Sequence, residues 1–420
     1  MNTGDFQLPG DRGRLPDDRI AGFIQGLLLM LGSCLPVMGA VLIAPVLPRI
    51  VSHFAHVPNV ALWAPLALTA PALMVGLSAP FAGAIVDRLG RKRLLLFALV
   101  LYAVTGLAPL WLESLHRIVA SRVVMGVAEA AIMTCCTTLI GDYFDGARRA
   151  RYLAQQTIWA SMSATVFFAV GGLMGEAGWR TPFWVYAAAF FLLPMMAFYL
   201  WEPMRSAVAR TEREAPGSAA FPWKPMTLIC VLTLLGAIAF YLLPVHLGFV
   251  LEARGYASPR LIGLAMGIGS LATVLGAFLF RYLARRGVPA LLAISYATLG
   301  LGFVLVARAQ TYNEIVTGVV VAGFGAGVIL PSLVTWMMAK LSFEHRGRGT
   351  GAFLASFFIG QFICPVVVLG LGRVAGGLPG SVEVFGWTFL GLAVFAAGIG
   401  LSRRFVPQGS NAAIHKKEAA

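Results

Sequence analysis

Charge is what this sequence has least of. Charged side chains make up 12 % of its 420 residues, only 18 of them Asp or Glu, against 59 % hydrophobic. A soluble domain carries about 25 % charged residues, so a soluble globule is excluded and the chain reads as an integral membrane protein. Cysteine is also scarce. All five (Cys34, Cys135, Cys136, Cys230, Cys364) fall inside apolar runs and none has metal-ligand spacing, so they read as small packing residues and no metal is expected. No nucleophile stands beside a base, no glycine-rich loop could cradle phosphate, and no polar stretch is long enough to bury such a site. That excludes an enzyme, and ATP-driven transport would need a partner subunit. Leu31, Gly32, Ser33 and Cys34 approximate a lipoprotein cleavage box. The apolar run continues past them to Pro45, and Asp17 and Asp18 stand beside Arg19 in the flank, so the first helix is expected to stay attached.

What the chain has in quantity is long apolar runs. They read as twelve spans, at 20–48, 62–84, 94–111, 118–140, 153–175, 182–201, 225–251, 260–282, 289–308, 313–339, 351–374 and 384–403. Residues 1–19 form a polar tail, 20–201 a first set of six spans, 202–224 a charged linker, 225–403 a second set and 404–420 a closing tail. With both ends in the cytoplasm, most of the 32 Lys and Arg fall on the cytoplasmic side, as the positive-inside bias requires. The net charge of +14 therefore reports orientation and lipid contact, and no nucleic-acid partner is expected. Trp63, Trp111, Trp179, Trp201 and Trp223 lie near span ends, where interfacial anchors belong.

The most specific stretch is GAIVDRLGRKR, residues 83–93, a short charged hinge between two apolar runs. Asp87 falls at the carboxyl end of the first run, where free carbonyls make the local field negative. It therefore needs donors from Arg88, from Arg91, or from the free N–H groups of another helix arriving on the same face. Gly83 and Gly90 would let backbones approach and turn. The spacing of Gly83, Asp87, Arg88, Gly90, Arg91 and Lys92 resembles the loop between helices 2 and 3 of the major facilitator superfamily. The resemblance implies an all-α membrane protein of twelve transmembrane helices in two pseudo-symmetric six-helix bundles, with a substrate site between them at mid-membrane. It also implies that Asp87 docks on the amino end of helix 11, that Arg91 pairs with Asp142 at the cytoplasmic end of helix 4, and that this cluster latches the cytoplasmic side.

The two sets of spans look like diverged copies. GAFLFRYLARRG, residues 276–287, echoes the hinge, with Gly276 answering Gly83, Arg281 answering Arg88, and Phe280 standing where Asp87 would be. Charge inside a span is costly and usually functional, and span 4 carries both Arg122 and Glu129. Seven residues apart, they lie about 10 Å apart along the axis and within about 20° of one face. A carboxyl in a dry cavity can load and release protons, which makes Glu129 the expected proton carrier; a structural pair holding span 4 is the competing reading. Arg122 and Gly126 resemble the superfamily's Arg-x-x-x-Gly element, tied in proton-driven exporters to proton movement. Span 5 departs from those exporters, because Gly171 and Gly172 are present without the expected Gly-Pro pair.

Other polar residues within spans are candidates for the substrate cavity: Gln25, Gln156, Trp159, Tyr241, His246, Trp336 and Gln361. The expected function is proton-coupled efflux of a small organic molecule, such as a drug, siderophore or metabolite, by alternating access. The resemblance places this antiporter in a bacterial inner membrane, working as a monomer on the proton gradient without a cofactor. Uptake of an organic anion that pairs with Arg122 is the alternative within transport, and a transporter-like receptor or scaffold the alternative from another class.

Overall fold

The computed structural model describes residues 21–203, 221–342 and 345–405, without the side chains of 84, 87 and 400–405. Both tails and most of the linker expected from the sequence lie outside the described residues. Within them are twelve helices long and apolar enough to cross a membrane. They are α1 (Phe23–His53), α2 (Val60–Ser78), α3 (Arg91–Leu110), α4 (Leu115–Tyr143), α5 (Gly146–Gly175), α6 (Thr181–Tyr199), α7 (Trp223–Ala253), α8 (Pro259–Arg286), α9 (Val288–Arg308), α10 (Tyr312–Lys340), α11 (Arg346–Gly372) and α12 (Leu378–Ile399). Helix is the required solution here, since hydrocarbon offers backbone N–H and C=O groups no partner outside the segment.

Proline decides where these helices depart from regularity. In α1 a 3-10 turn at Ala44–Val46 contains Pro45, which has no N–H for the ladder. The second span was expected to run to 84, but the chain breaks at residues 79–81 around Pro80 and restarts as a separate helix, Ala82–Leu89. The hinge is thus a short helix of its own. Gly90 closes it at φ 86°, in the region that favours glycine. Its counterpart is Gly287 at φ 82°, which opens α9 as Gly90 opens α3. Matching these two glycines sets Ala284, rather than Phe280, opposite Asp87. Gly83 departs from its expected role, because a side chain built there would meet nothing within 4 Å.

The helices form two bundles of six. In the first, α4 packs on α2 and α3, and α1 on α4 and α5. In the second, α9 packs on α10 and α12, α8 on α10, and α7 on α11. The bundles meet mainly along two seams, α5 against α8 and α2 against α11. Along the first seam Gly172 faces Gly263, and a Cβ on either would strike the other's backbone. Thr69 Oγ1 donates to the Phe362 carbonyl at 3.4 Å across the second. Trp179 is not an interfacial anchor: it is 9 % exposed, set between Phe54 and Phe183 with its ring edge-on to both.

Candidate functional site

Between the bundles lies a cavity of about 540 Å³, within the range of ligand pockets. The first bundle supplies a wall with hydroxyl and amide groups, including Ser33, Thr137, Gln156 and Ser161. The second supplies aromatic and aliphatic surface, including Phe240, Tyr241, Phe357 and Phe358. No Lys, Arg, His, Asp or Glu lines this cavity among the described residues.

Three of the seven residues expected at the cavity are there. Gln156 lines it and donates to Ser33 Oγ at 2.7 Å and to Thr137 Oγ1 at 3.1 Å. Tyr241 and Gln361 line it from α7 and α11. The other four lie elsewhere. Gln25 caps its own helix, its Oε1 accepting from Gly22 N at 2.9 Å while Nε2 donates to the Tyr199 carbonyl at 3.3 Å. Trp159 is 41 % exposed and does not line the cavity. His246 is buried beside Phe249, away from the lining, and Trp336 is partly buried outside it. Polarity in a span does not single out the cavity, because helix capping and core packing use the same residues. The hydroxyls of Ser33, Thr137, Thr157, Ser161, Ser270 and Thr273 also line the cavity, and nothing in the sequence marks them. Singly they are common in spans, where they bond back to the helix, as Ser33 does to the Leu29 carbonyl at 2.7 Å.

Arg122 and Glu129 occupy the core of the first bundle. Arg122 is fully buried and all its donor nitrogens are engaged. Nε donates to the Ala67 carbonyl at 3.1 Å, Nη1 to Tyr186 OH at 2.9 Å and to Met125 Sδ at 2.8 Å, and Nη2 to the Gly39 carbonyl. The guanidinium therefore ties α4 to α1, α2 and α6, and none of its hydrogen bonds goes to Glu129. Gly39 stands between the two, its carbonyl on Arg122 and its Cα against the Glu129 carboxyl, where a Cβ would overlap Oε1. Glu129 is 3 % exposed and its Oε1 lacks a hydrogen-bond partner among the described residues. Gly126, between them in sequence, lets α4 lie on the Pro71 backbone of α2.

At the hinge, Arg91 Nη1 donates to Asp142 Oδ2, both side chains being about one-quarter exposed. The side chain of Asp87 lies outside the described residues, and Arg88 is exposed. The amino end of α3 is capped by Glu202, whose oxygens accept from Arg91 N at 2.6 Å and Lys92 N at 2.9 Å, as a helix dipole favours. The second turn of α11 reaches the start of this region, with a Cβ on Gly351 falling 3.5 Å from Pro80 Cα.

The opposite face carries a second cluster that the sequence did not announce. Glu176, just past α5, accepts from Ser258 Oγ and from Arg260 N at 3.0 Å at the amino end of α8. Arg49 Nη2 donates to Glu176 Oε2 at 3.3 Å, and its Nη1 to the Gly175 carbonyl at 2.7 Å. The Ser258 hydroxyl first, then the Arg260 amide and Arg49, hold the Glu176 carboxyl below the ordinary carboxylate range. One carboxylate thus bridges the two bundles at the end where Gly172 meets Gly263.

The model of the Major Facilitator Superfamily matches residues 29–257 and 229–419. The chain belongs to the major facilitator superfamily. As a member of that superfamily it is a multi-pass transporter of small molecules, not an enzyme. It is 26 % identical over 361 residues to the class C tetracycline resistance protein of Escherichia coli, covering 81 % of this chain and 88 % of that one. It is 28 % identical over 348 residues to the 3-(3-hydroxy-phenyl)propionate transporter of Escherichia coli strain K12, covering 77 % and 80 %. Among solved structures it matches a bacterial homologue of the human lysosomal transporter Spinster, in an inward-facing and unoccupied conformation. The TM-score is 0.70 at 16 % identity, over 92 % of this chain and 100 % of that one, a likeness of fold.

Proposed function

We propose that this superfamily member exports an apolar, uncharged or weakly cationic organic molecule across a bacterial inner membrane in exchange for protons. The observation that carries the reading is the absence of a cation from the cavity wall among the described residues, with a buried carboxyl just behind it. An organic anion entering the cavity would lose its water and gain no positive partner, an expensive exchange. Arg122 has its donors committed to carbonyls and a hydroxyl and does not line the cavity. An apolar molecule loses little water and gains aromatic contact. Glu129 carries the proton in this reading, and Arg122 acts as a fixed charge beside it. Both chain ends lie in the cytoplasm, the protein works alone, and alternating access moves the cavity between faces. The hinge, with Gly83, Asp87, Arg88, Gly90, Arg91 and Asp142, latches the cytoplasmic side, and Glu176 fastens the other.

Purified protein in liposomes, with the pH gradient imposed by dilution, tests this with three probes: chloramphenicol as a neutral molecule, ethidium as a cation and benzoate as an anion. Gradient-driven movement of a neutral or cationic probe, lost in Glu129→Gln, is the expected outcome. Movement of benzoate alone, or movement that ignores the gradient, would overturn it.

A further inference from the structure

Behind the substrate cavity lies a second chamber of about 30 Å³. A single water needs about 10–15 Å³, so the chamber has room for about two waters. Its walls come from α1, α2 and α4 on one side and from Tyr241, Phe358 and Gln361 of the other bundle. Glu129 lines it, while the Glu129 Oε1, which lacks a protein partner among the described residues, lies against Gly39. The chamber therefore brings the Glu129 side chain within reach of water.

The chamber and the substrate cavity share Pro36, Ala40, Met133, Tyr241, Phe358 and Gln361, so one layer of side chains divides them. Within that layer the polar members, Tyr241 and Gln361, both belong to the second bundle, whereas Glu129 belongs to the first. Tyr241 OH donates to the Ala40 carbonyl, a bond that crosses between bundles. Gln361 is 5 % exposed in the same layer. The charged and titratable groups acting on Glu129 are Arg122 on its own helix, Tyr102 of α3, Tyr186 of α6 and Tyr241 of α7. Arg122 donates to Tyr186 and to two carbonyls, Tyr102 to the Leu35 carbonyl and Tyr241 to Ala40. The faces that α1, α2 and α11 turn to the chamber carry no charged or titratable side chain.

We propose that Tyr241 and Gln361 form a lid, supplied by the second bundle, over a small chamber lined by Glu129. Glu129 then exchanges its proton with the cavity only when the bundles part. The proposal rests on the reading that Glu129 carries the proton. The step is a proton transfer: when Tyr241 leaves Ala40 and the chamber joins the cavity, the carboxylic acid gives its proton to cavity water, leaving a carboxylate on Glu129 and a hydronium ion in the cavity. The reverse reloads the acid. Because the lid and the acid ride on different bundles, proton exchange is tied to the motion that moves substrate. Tyr241 and Gln361 are positioning residues in this scheme.

The test is proton entry into substrate-free liposomes of phosphatidylethanolamine and phosphatidylglycerol, loaded with pyranine and driven by a valinomycin-clamped potassium potential. Wild-type protein should hold the gradient. Tyr241→Ala should leak protons several-fold faster, and adding Glu129→Gln should return the leak to the wild-type level. Tyr241→Phe, which keeps the ring and loses only the bond to Ala40, should show a smaller leak with the same dependence on Glu129. It also supplies the test if Tyr241→Ala does not fold. No leak in either variant would overturn the lid, and so would a leak that survives Glu129→Gln. Failure of the underlying reading looks different: wild-type transport of chloramphenicol and ethidium would then ignore the pH gradient, and Glu129→Gln would match wild type.

Discussion

Replacing Arg122 by leucine separates a residue that holds the bundle from one that meets the substrate. The side chain is fully buried and serves three oxygen acceptors, the carbonyls of Gly39 and Ala67 and the hydroxyl of Tyr186. Leucine fills much of the aliphatic volume and satisfies none of them. Each stranded buried acceptor costs about 1–3 kcal/mol. With three of them the expected loss is at least about 3 kcal/mol, measured as a shift in the free energy of unfolding during titration from dodecylmaltoside into dodecyl sulfate. Lysine should recover only part of it, because a single ammonium cannot reproduce the planar fork that reaches α1, α2 and α6 together. A loss below about 1 kcal/mol for leucine, or full recovery by lysine, would refute the claim that Arg122 ties these helices. It would also restore Arg122 as a candidate for substrate contact.

Gly39→Ala should abolish proton-coupled transport while costing about 1–3 kcal/mol of stability, because the methyl takes the place of Glu129 Oε1; normal gradient-driven flux would contradict this. Glu176→Gln should weaken closure of the opposite face modestly, by less than about 1 kcal/mol, since a half-exposed ion pair is screened. The carboxyl is held below its ordinary range, so its contribution is complete above the ordinary pKa of about 4.3 and fades as pH falls below it. The stability difference between wild type and Glu176→Gln should accordingly vanish in acid, and a difference that grows in acid would reverse the sign. Arg91→Ala should change the rate of cycling and leave probe affinity nearly constant, since Arg91 pairs with Asp142 at the hinge and far from the cavity lining; a change confined to affinity would count against a latch.

Much of the fold was legible because membrane spans are written in one dimension. Apolar runs of bilayer length must be helices, and the pairing of Arg91 with Asp142 links two charged span ends on one face. The site was less legible. Polarity within a span is a shared signal: in Gln25 it marks a helix cap, in Arg122 a brace for three helices, and in Gln156 a cavity wall. Telling these apart needs the neighbours that only the assembled bundles supply. Glu176 and Glu202 look like ordinary span-end charges in the sequence, yet each caps a helix distant in the chain. The chamber beside Glu129 is lined from both bundles and has no signature in either alone.

The central claim is that protonation of Glu129 drives the bundles apart and together. The most direct measurement is the distance between spin labels at Ala177→Cys and Ala257→Cys, exposed positions flanking the Glu176 cluster on opposite bundles, with the five native cysteines replaced. Between about pH 8 and pH 5.5, above the range in which an ordinary carboxylate such as Glu176 titrates, the distance distribution should shift between a short and a long population. The same labels in Glu129→Gln should give one distribution at every pH. An unchanging distribution in the wild-type background, or a shift that persists in Glu129→Gln, would contradict the account.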